Sequence, residues 1–236
     1  MLKASPIPVL ILLAALSGDT PAAEIFGSTG YGHGIAVHGG DTNPCPGSTL
    51  YLTYDGTGEN GYCWGYGGMV PPYYGAFAEA YSAGVGYVCG IDLFLTQIGY
   101  HTGQGADLYV WDSDGVNPTA VLSVTAGVAI PGTIAFWPSI SEHGIGITPT
   151  AVSSDFFVGC WGNWPGTMCP WYVAVDADGM SGSPRTNIAP GIGYPTGWQD
   201  VAIVWGPTPS LGIGAFVSQG TPVRDGSWGS VKRLYR

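Results

Sequence analysis

The sequence predicts an all-β protein, an antiparallel β-sandwich of jelly-roll type with nine to eleven strands and long loops rich in glycine and proline. Forty glycines and nineteen prolines argue against long helices, because both residues destabilise helical interiors. Apolar and polar residues alternate in many short runs, as in Trp171–Asp176, and this period of two is typical of strands with one buried face. No run before the C-terminal tail shows the period of a long helix.

The two ends of the chain differ in composition from the part between them. Lys3, the apolar run Val9–Leu16 and the small residues Thr20–Ala23 have the pattern of a secretory signal peptide over residues 1–23. We therefore expect residues 24–220 to form the β-sandwich domain and the protein to be secreted or held at an extracellular surface. Residues 221–236 form a basic tail, which is expected either to dock on the domain or to act as an export or anchoring signal that a partner recognises.

Turn-forming clusters of glycine, proline, asparagine and aspartate divide the domain into short candidate strands. Residues 24–47 are glycine-rich and are expected to be a loosely docked entry segment. A bulge is expected at Gly90, inside the longest run. The predicted strands are Ser48–Tyr54, Tyr74–Ala80, Val88–Ile98, Asp107–Asp112, Ala120–Val124, Thr133–Trp137, Gly144–Thr148, Asp155–Trp161, Trp171–Asp176, Val201–Trp205 and Gly212–Ser218.

The long connection after Asp176 is the expected place for a binding site. Loops of this length are uncommon in compact domains and are usually functional or mobile. Aromatic rings stack on sugars or partner proteins, and carboxylates accept hydrogen bonds from hydroxyls. In the alternative interpretation the rings only fill the sandwich. The candidate ligand-binding residues are Trp164, Asp178, Arg185, Tyr194 and Trp198.

Two substitutions separate these interpretations. If the loop binds a glycan through its rings, Trp198→Ala abolishes binding and Ser181→Ala does not. If Trp198 is part of the core, its truncation lowers stability instead. Arg185 is expected to form an ion pair with Asp176, Asp178 or Asp200.

Five cysteines in an exported chain predict disulfides. Cys160 and Cys169 flank a short loop between two predicted strands and are expected to pair. Cys45 is expected to pair with Cys63. Cys89 lies in an apolar run and is expected to be a buried free thiol, since an odd number leaves one cysteine over.

The charge balance limits the possible partners. Sixteen acidic residues stand against six basic ones, and Arg185 is the only lysine or arginine between Ala23 and Gly220. Such an acidic body repels phosphate backbones, so nucleic acid is an unsuitable partner. A glycan or a cell-surface protein remains possible. No apolar stretch is long enough to predict a transmembrane span.

The motifs predict no catalytic residues. Gly179-Met-Ser-Gly-Ser-Pro184 resembles the nucleophile loop of trypsin-like serine proteases, but the histidine setting of that family is missing. A glycosidase needs two carboxyl groups across a cleft, and no local signature selects them from Glu59, Glu79, Glu142 and the aspartates. Asp112-Ser-Asp-Gly115 and Asp176-Ala-Asp-Gly179 are expected to cap turns or to bind a structural calcium ion. No other cofactor is expected.

Several segments resemble secreted bacterial proteins of uncharacterised activity that consist of one β-sandwich domain with a short basic tail. They are Asp55–Gly61, Tyr109–Asp112, Thr186–Asp200, Val204–Thr208 and Trp228–Arg236. The resemblance implies this fold and export but no catalysis. The expected function is a non-catalytic module that is structural, adhesive or carbohydrate-binding, and the alternative is a secreted polysaccharide hydrolase.

Overall fold

The computed structural model of the protein describes residues 25–29, 34–37, 43–65, 73–99, 105–162 and 169–219. The predicted signal peptide, the basic tail and Trp164 lie outside these residues. In the described part of the chain, the only helix is α1 (Ala202–Trp205), and no helix is long and apolar enough to cross a membrane. The strands are β1 (Ile25–Ser28), β2 (Gly34–Val37), β3 (Thr49–Tyr51), β4 (Thr57–Gly58), β5 (Asn60–Gly65), β6 (Phe77–Ser82), β7 (Gly86–Gln97), β8 (Ala106–Ser113), β9 (Pro118–Val128), β10 (Ala135–Phe136), β11 (Ser139–Val152), β12 (Asp155–Trp161), β13 (Tyr172–Asp176), β14 (Arg185–Ile188), β15 (Gly197–Asp200), β16 (Ser210–Leu211) and β17 (Ile213–Ser218).

These strands form two packed sheets, which confirms the predicted all-β sandwich. The larger sheet has eleven strands, and its main path is β1-β5-β13-β7-β11-β2-β4, with β17 and β3 joined to it through β7. The smaller sheet has six strands in the order β15-β14-β6-β12-β8-β9. Nearly all neighbours are antiparallel; the parallel pairs are β10 with β7 and β2 with β11.

The main core lies between the two sheets and follows the alternation of the strands. In β7, Ile91, Leu93 and Leu95 point into this core, and in β12 Phe156 and Val158 do so from the opposite sheet. All five are at most 1% exposed. Burial of one such side chain stabilises the fold by about 1.5–3 kcal/mol before entropy is counted, so this layer determines the pairing of the sheets.

The outer faces of both sheets are covered as well. Residues 52–59, which we call the crossing segment, run from β3 to β5 over the outer face of the larger sheet. Tyr54 of this segment packs with Phe94, Ile140 and Ala174, which lie opposite the main core. The smaller sheet carries a separate outer cluster, the aromatic cluster, of Ala76, Ala78, Tyr109, Trp111, Phe157 and Trp161, against which Tyr73 and Trp198 pack. The expectation of one buried face for β13 is therefore wrong, since all its residues are buried.

The strand assignment from sequence differs from the structure in the glycine-rich and loop segments. Residues 25–28 and 34–37 form β1 and β2, where a loosely docked entry was expected, because backbone pairing with β5 and β11 orders them. Strands β14 and β15 lie inside the long connection after β13. The predicted strand over 201–205 is wrong. There Asp200 Oδ1 accepts the backbone N–H of Ala202 at 2.8 Å, which favours a turn and α1.

The predicted disulfide pairs are also wrong. Cys63 is bonded to Cys169 because β5 pairs with β13, and Cys169 lies just before β13 begins. Cys45 is bonded to Cys89, which was expected to be the free thiol. Cys160 is free: it points from β12 into the main core, and burial raises the pKa of its thiol to about 12.

The predicted bulge in β7 lies one residue from its expected position. Val217 pairs with Val88 and Phe216 with Gly90, so Cys89 is the extra residue of β7. The segment that carries Cys45 passes over this point. A Cβ atom on Gly90 would lie 2.6 Å from Pro44, which explains why a glycine is needed there. The bulge and the close approach of the two chains together bring Cys89 to Cys45.

Candidate functional site

A pocket of about 260 Å³ opens where the long connection after β13 meets the edge of the sandwich. Serine and threonine hydroxyls make up much of its lining, together with one carboxylate and two aromatic rings. Residues from the crossing segment, from the turn between β8 and β9, and from the strands β6 and β12 complete the wall. The lining residues are Thr53, Ala80, Tyr81, Ser82, Ser113, Gly115, Asp155, Phe157, Ser181, Gly182 and Ser183.

Glu79 holds the loop that forms one side of this pocket. Its side chain points from β6 toward the main core and is fully buried. Oε1 accepts the backbone N–H of Ser183 at 2.5 Å, and Oε2 accepts that of Leu211 at 3.0 Å. A Cβ atom on Gly182 would lie 2.5 Å from Oε1, so the loop approaches Glu79 more closely than a side chain would permit. The carboxyl group of Glu79 therefore fixes the position of Gly182 and Ser183.

Burial raises the pKa of Glu79 to about 8, although the backbone N–H groups of Leu211 and Ser183 oppose the shift. At neutral pH the neutral acid is therefore the main form. In the same pocket Ser82 donates a hydrogen bond to Asp155 Oδ1 at 2.5 Å, and Asp155 is exposed. The pocket thus combines one exposed carboxylate with a buried acid whose oxygens both accept backbone hydrogen bonds.

Three aspartates form an acidic cluster next to the pocket. Asp176 ends β13, Asp178 follows it in the long connection, and Asp55 comes from the crossing segment. One carboxylate oxygen of each residue lies within 4.8 Å of those of the other two. Asp176 is buried, while Asp55 and Asp178 are exposed. Carboxylate oxygens at this spacing can share a hard divalent cation.

Asp176 organises this cluster. Its Oδ1 accepts the backbone N–H groups of Asp178 at 3.2 Å and Gly179 at 2.5 Å, and its Oδ2 accepts that of Asp55 at 3.1 Å. Burial raises the pKa of Asp176, and the N–H groups of Asp55 and Gly179 oppose this. One side chain therefore joins the crossing segment to the start of the long connection.

A pair of carboxyl groups lies on the outer face of the larger sheet, in β7 and β11. Asp92 is fully buried, and Glu142 is partly buried. Burial raises the pKa of Asp92 to about 8, and the negative charge of Glu142 is the second largest cause of this shift. Because substrate cannot reach a fully buried Asp92, we interpret this pair as structural.

The aromatic cluster on the smaller sheet is packed rather than open. Tyr109 and Trp111 are stacked with ring centroids 4.9 Å apart, and Trp198 meets Trp111 edge-on at 5.1 Å. Trp111 is 0% exposed and Tyr109 is 8% exposed. Among the described residues, the partly exposed members of this cluster are Tyr73, Ala80 and Trp198, so its partly exposed rings are those of Tyr73 and Trp198. A sugar stacks on an accessible ring face, which the two central rings do not offer.

The candidate residues chosen from sequence do not converge on one surface. Asp178 belongs to the acidic cluster, and Trp198 covers the aromatic cluster. Tyr194 packs against the main core instead. Arg185 lies in β14, where its Nη1 is 3.5 Å from Asp200 Oδ2, which confirms the expected ion pair. Its Nε donates to the carbonyl of Val116 at 2.9 Å.

The sequence contained weak signals for the residues that were missed. Glu79 stands in the inward register with Phe77 and Tyr81, and a charged residue in an apolar register points to a special role. Asp55 was visible only as part of a turn, since no sequence pattern places the crossing segment beside β13. The protease-like motif has no histidine beside Ser181 in the described residues: His143 contacts Ser141 and the carbonyl of Pro131.

Comparison with protein-family models, with curated proteins and with solved structures finds no match to this chain.

Proposed function

We propose that this chain is a secreted, non-catalytic β-sandwich module that binds a carbohydrate in the hydroxyl-lined pocket. The observation that carries the proposal is the lining, which contains five serine or threonine residues and Asp155. Hydroxyls donate and accept hydrogen bonds, so they match the hydroxyls of a sugar. The two disulfides are compatible with an extracellular protein.

The size of the pocket indicates how much of a glycan it would hold. Its volume of about 260 Å³ lies just below the usual range for ligand sites, roughly 300–1,000 Å³. We therefore expect one sugar unit to enter, at a chain end or branch of a larger glycan. The hydroxyls of the lining orient that unit, because the rings of Tyr81 and Phe157 are buried and offer no accessible stacking face.

The geometry of Glu79 supports the non-catalytic interpretation. A glycosidase needs a carboxylic acid within reach of the glycosidic oxygen and a second carboxylate near by. Glu79 is fully buried, and both its oxygens accept backbone hydrogen bonds. Asp155 is then the only carboxylate among the residues that line the pocket.

The alternative, a secreted polysaccharide hydrolase, has one observation in its favour. Glu79 has a raised pKa and lies behind the pocket wall near Asp155, and perturbed acids in pockets are common in active sites. Hydrolysis of a glycan that is lost in both Glu79→Gln and Asp155→Asn, with folding retained, would replace the binding module by this alternative.

The experiment compares a substitution in the pocket with one in the aromatic cluster. A glycan array identifies a ligand, and isothermal titration calorimetry then measures its affinity for Ser181→Ala and Trp198→Ala. Ser181 is exposed and lines the pocket, so we expect its loss to weaken binding about 2- to 12-fold, as one hydrogen bond would. We expect Trp198→Ala to bind like the wild type, which reverses the expectation from sequence.

The opposite result would show that the glycan binds outside the pocket. If Trp198→Ala abolishes binding and Ser181→Ala does not, the glycan binds at the aromatic cluster and the pocket proposal fails. Thermal unfolding of both variants shows whether each protein is folded at the temperature of the titration. Failure of every glycan on the array to bind the folded wild type would contradict the proposal as well.

A further inference from the structure

We propose that the hydroxyl-lined pocket selects sugars by their charge and prefers a hexosamine unit with a protonated amine. The selection rests on the carbohydrate binding proposed above and names the class of sugar. Among the described residues that line the pocket, Asp155 carries the only charged side chain. An ammonium group bound there would form a charge-assisted hydrogen bond, whereas the carboxylate of a sugar acid would be repelled.

Asp155 is held at the pocket with one oxygen left for a ligand. It is the first residue of β12 and pairs with Ser82, the last residue of β6. The Ser82 hydroxyl donates a hydrogen bond to Asp155 Oδ1 at 2.5 Å. Among the described residues no donor contacts Asp155 Oδ2, and Asp155 is exposed. A sugar ammonium can therefore bind to Oδ2 while Ser82 keeps its hydrogen bond to Oδ1.

The described wall of the pocket offers no cation to a sugar carboxylate. Arg185 is the only lysine or arginine in the described residues, and it is not part of the lining. Its Nε donates to the carbonyl of Val116 at 2.9 Å and to Asn117 Oδ1 at 3.2 Å. Its Nη1 donates to the carbonyl of Pro184 at 2.9 Å and lies 3.5 Å from Asp200 Oδ2. These contacts engage the guanidinium outside the pocket.

Glu79, which lies behind the pocket wall, does not compete with Asp155 for the ammonium. Its side chain is fully buried, and both its oxygens accept backbone hydrogen bonds. Burial raises the pKa of Glu79 to about 8, so the neutral acid is the main form at pH 6.5. An amine whose pKa lies near that of an α-amino group, about 7.7–8.0, is protonated at the same pH. Asp155 is then the charge that such a sugar meets.

The expected preference follows from the position of Asp155 in a pocket that is open to water. A fully exposed ion pair raises affinity by up to about fivefold, and a hydrogen bond to a charged group in a protected site by about tenfold or more. A sugar in the pocket of about 260 Å³ would exclude part of the water from Asp155. We therefore expect the amino sugar to bind about 5- to 10-fold more tightly than its parent hexose.

Asp114 offers a matched control. It stands between Ser113 and Gly115, which both line the pocket, but it is not itself part of the lining. It is exposed, and its Oδ1 accepts the backbone N–H groups of Val116 at 2.8 Å and Asn117 at 2.7 Å. Asp155→Asn and Asp114→Asn change the net charge of −10 by the same amount. The two variants therefore separate a contact in the pocket from general attraction of cations to an acidic chain.

The test is isothermal titration calorimetry of the folded full chain at pH 6.5. The probes are glucosamine, galactosamine and mannosamine, each beside its parent hexose, together with glucuronic and galacturonic acid. We expect one amino sugar to show the 5- to 10-fold preference, and the sugar acids to bind more weakly than the hexoses. In Asp155→Asn the amino sugar and its parent should bind equally, because the new amide oxygen can accept the Ser82 hydroxyl but carries no charge. Asp114→Asn should keep the preference of the wild type.

Three results overturn charge selection. They are equal affinity of the wild type for the amino sugar and its parent hexose, a preference that survives in Asp155→Asn, and a preference that Asp114→Asn reduces as much as Asp155→Asn does. If a parent hexose binds and Ser181→Ala weakens that binding, the carbohydrate site stands and only the selection fails. If none of these sugars binds the folded wild type and the glycan array also shows no ligand, the selection and the proposed function both fail.

Discussion

The outer faces of the two sheets are both covered, but by different chemistry. On the larger sheet the crossing segment brings Tyr54 and Asp55 to a face that already carries Asp92, Glu142 and the end of β13. On the smaller sheet, aromatic rings and alanines fill the face. Its described ionic pair joins Arg185 in β14 with Asp200 in the edge strand β15.

The two outer faces therefore differ in their titratable groups: one carries buried carboxyl groups, and the other is filled by packed rings. The aromatic cluster buries no carboxyl group, so it adds stability without creating titratable groups of unusual pKa near neutrality. Buried carboxyl groups cost free energy unless they are paired, protonated or bound to a cation. The outer face of the larger sheet therefore carries a buried carboxyl group whose protonation changes near neutral pH, Asp92, as well as the acidic cluster.

The largest effect is expected for Trp111→Ala in the aromatic cluster. Trp111 is 0% exposed and contacts the rings of Tyr109, Tyr73 and Trp198, so its truncation leaves a cavity. We expect the free energy of unfolding to fall by about 3–5 kcal/mol, as measured by urea denaturation.

The control for this variant is Val121→Ala. Val121 pairs with Trp111 across β8 and β9 but is 41% exposed, and we expect a loss below about 1 kcal/mol. Equal losses in the two variants would show that the aromatic cluster is not a second core.

The next effect is the pH dependence that two buried carboxyl groups introduce, Asp92 in the larger sheet and Glu79 in the smaller sheet. Burial raises the pKa of Asp92 from 3.8, and that of Glu79 in the main core from 4.5, to about 8 each. Between the unfolded and folded pKa values the native state holds more protons than the unfolded state. The contribution of these two groups to the free energy of unfolding is therefore full below about pH 4. It is lost as the pH rises to about 8.

The measurement compares urea unfolding at pH 6.5 and pH 8. Over this interval we expect the wild type to lose roughly 2–4 kcal/mol and Asp92→Asn to lose about half as much, since one pKa unit corresponds to about 1.4 kcal/mol. His143 acts in the opposite direction, because burial lowers its pKa from 6.5, and its contribution is the same in the wild type and in Asp92→Asn. An unchanged pH slope in Asp92→Asn would show that Asp92 is ionised in the folded protein.

The comparison also explains which structural features could be predicted from the sequence. Alternation identified β12 at its correct bounds, because Phe156 and Val158 face a core that the pattern requires. The length of the connection after β13 drew attention to a segment that lines the pocket, and the scarcity of basic residues predicted a carboxylate partner for Arg185. These features depend on local pattern or on the scarcity of basic residues.

The remaining features depend on contacts between distant parts of the chain. Cys63 is bonded to Cys169 only because β5 and β13 are neighbours. No local sequence pattern determines the order of the strands in a sheet. Asp55 joins Asp176 only because the crossing segment passes over the sheet. Short strands such as β14 are polar, so their composition resembles that of a loop. They are ordered only by pairing with neighbours, β6 and β15 in this case.

Trp198→Ala tests the margin of the aromatic cluster, for comparison with Trp111→Ala at its centre. Trp198 is partly exposed and meets Trp111 on one side only. We expect a loss of about 1–3 kcal/mol, smaller than for Trp111→Ala, because part of the ring is in water in the folded protein. Urea denaturation checks this value. A loss as large as that of Trp111→Ala would place Trp198 in the centre of the cluster.

The smallest effect is expected for the ion pair in the edge strands of the smaller sheet. Asp200→Asn removes the charge that Arg185 Nη1 meets at 3.5 Å, while the remaining side-chain oxygen can still accept the N–H of Ala202. Because the side chain of Asp200 is 56% exposed, water and salt screen the pair. We expect a loss of about 0–1 kcal/mol that disappears at high salt, measured by urea denaturation at two ionic strengths. A loss above about 2 kcal/mol that salt does not reduce would show that this face depends on charge, as the larger sheet does, and would remove the contrast between the two.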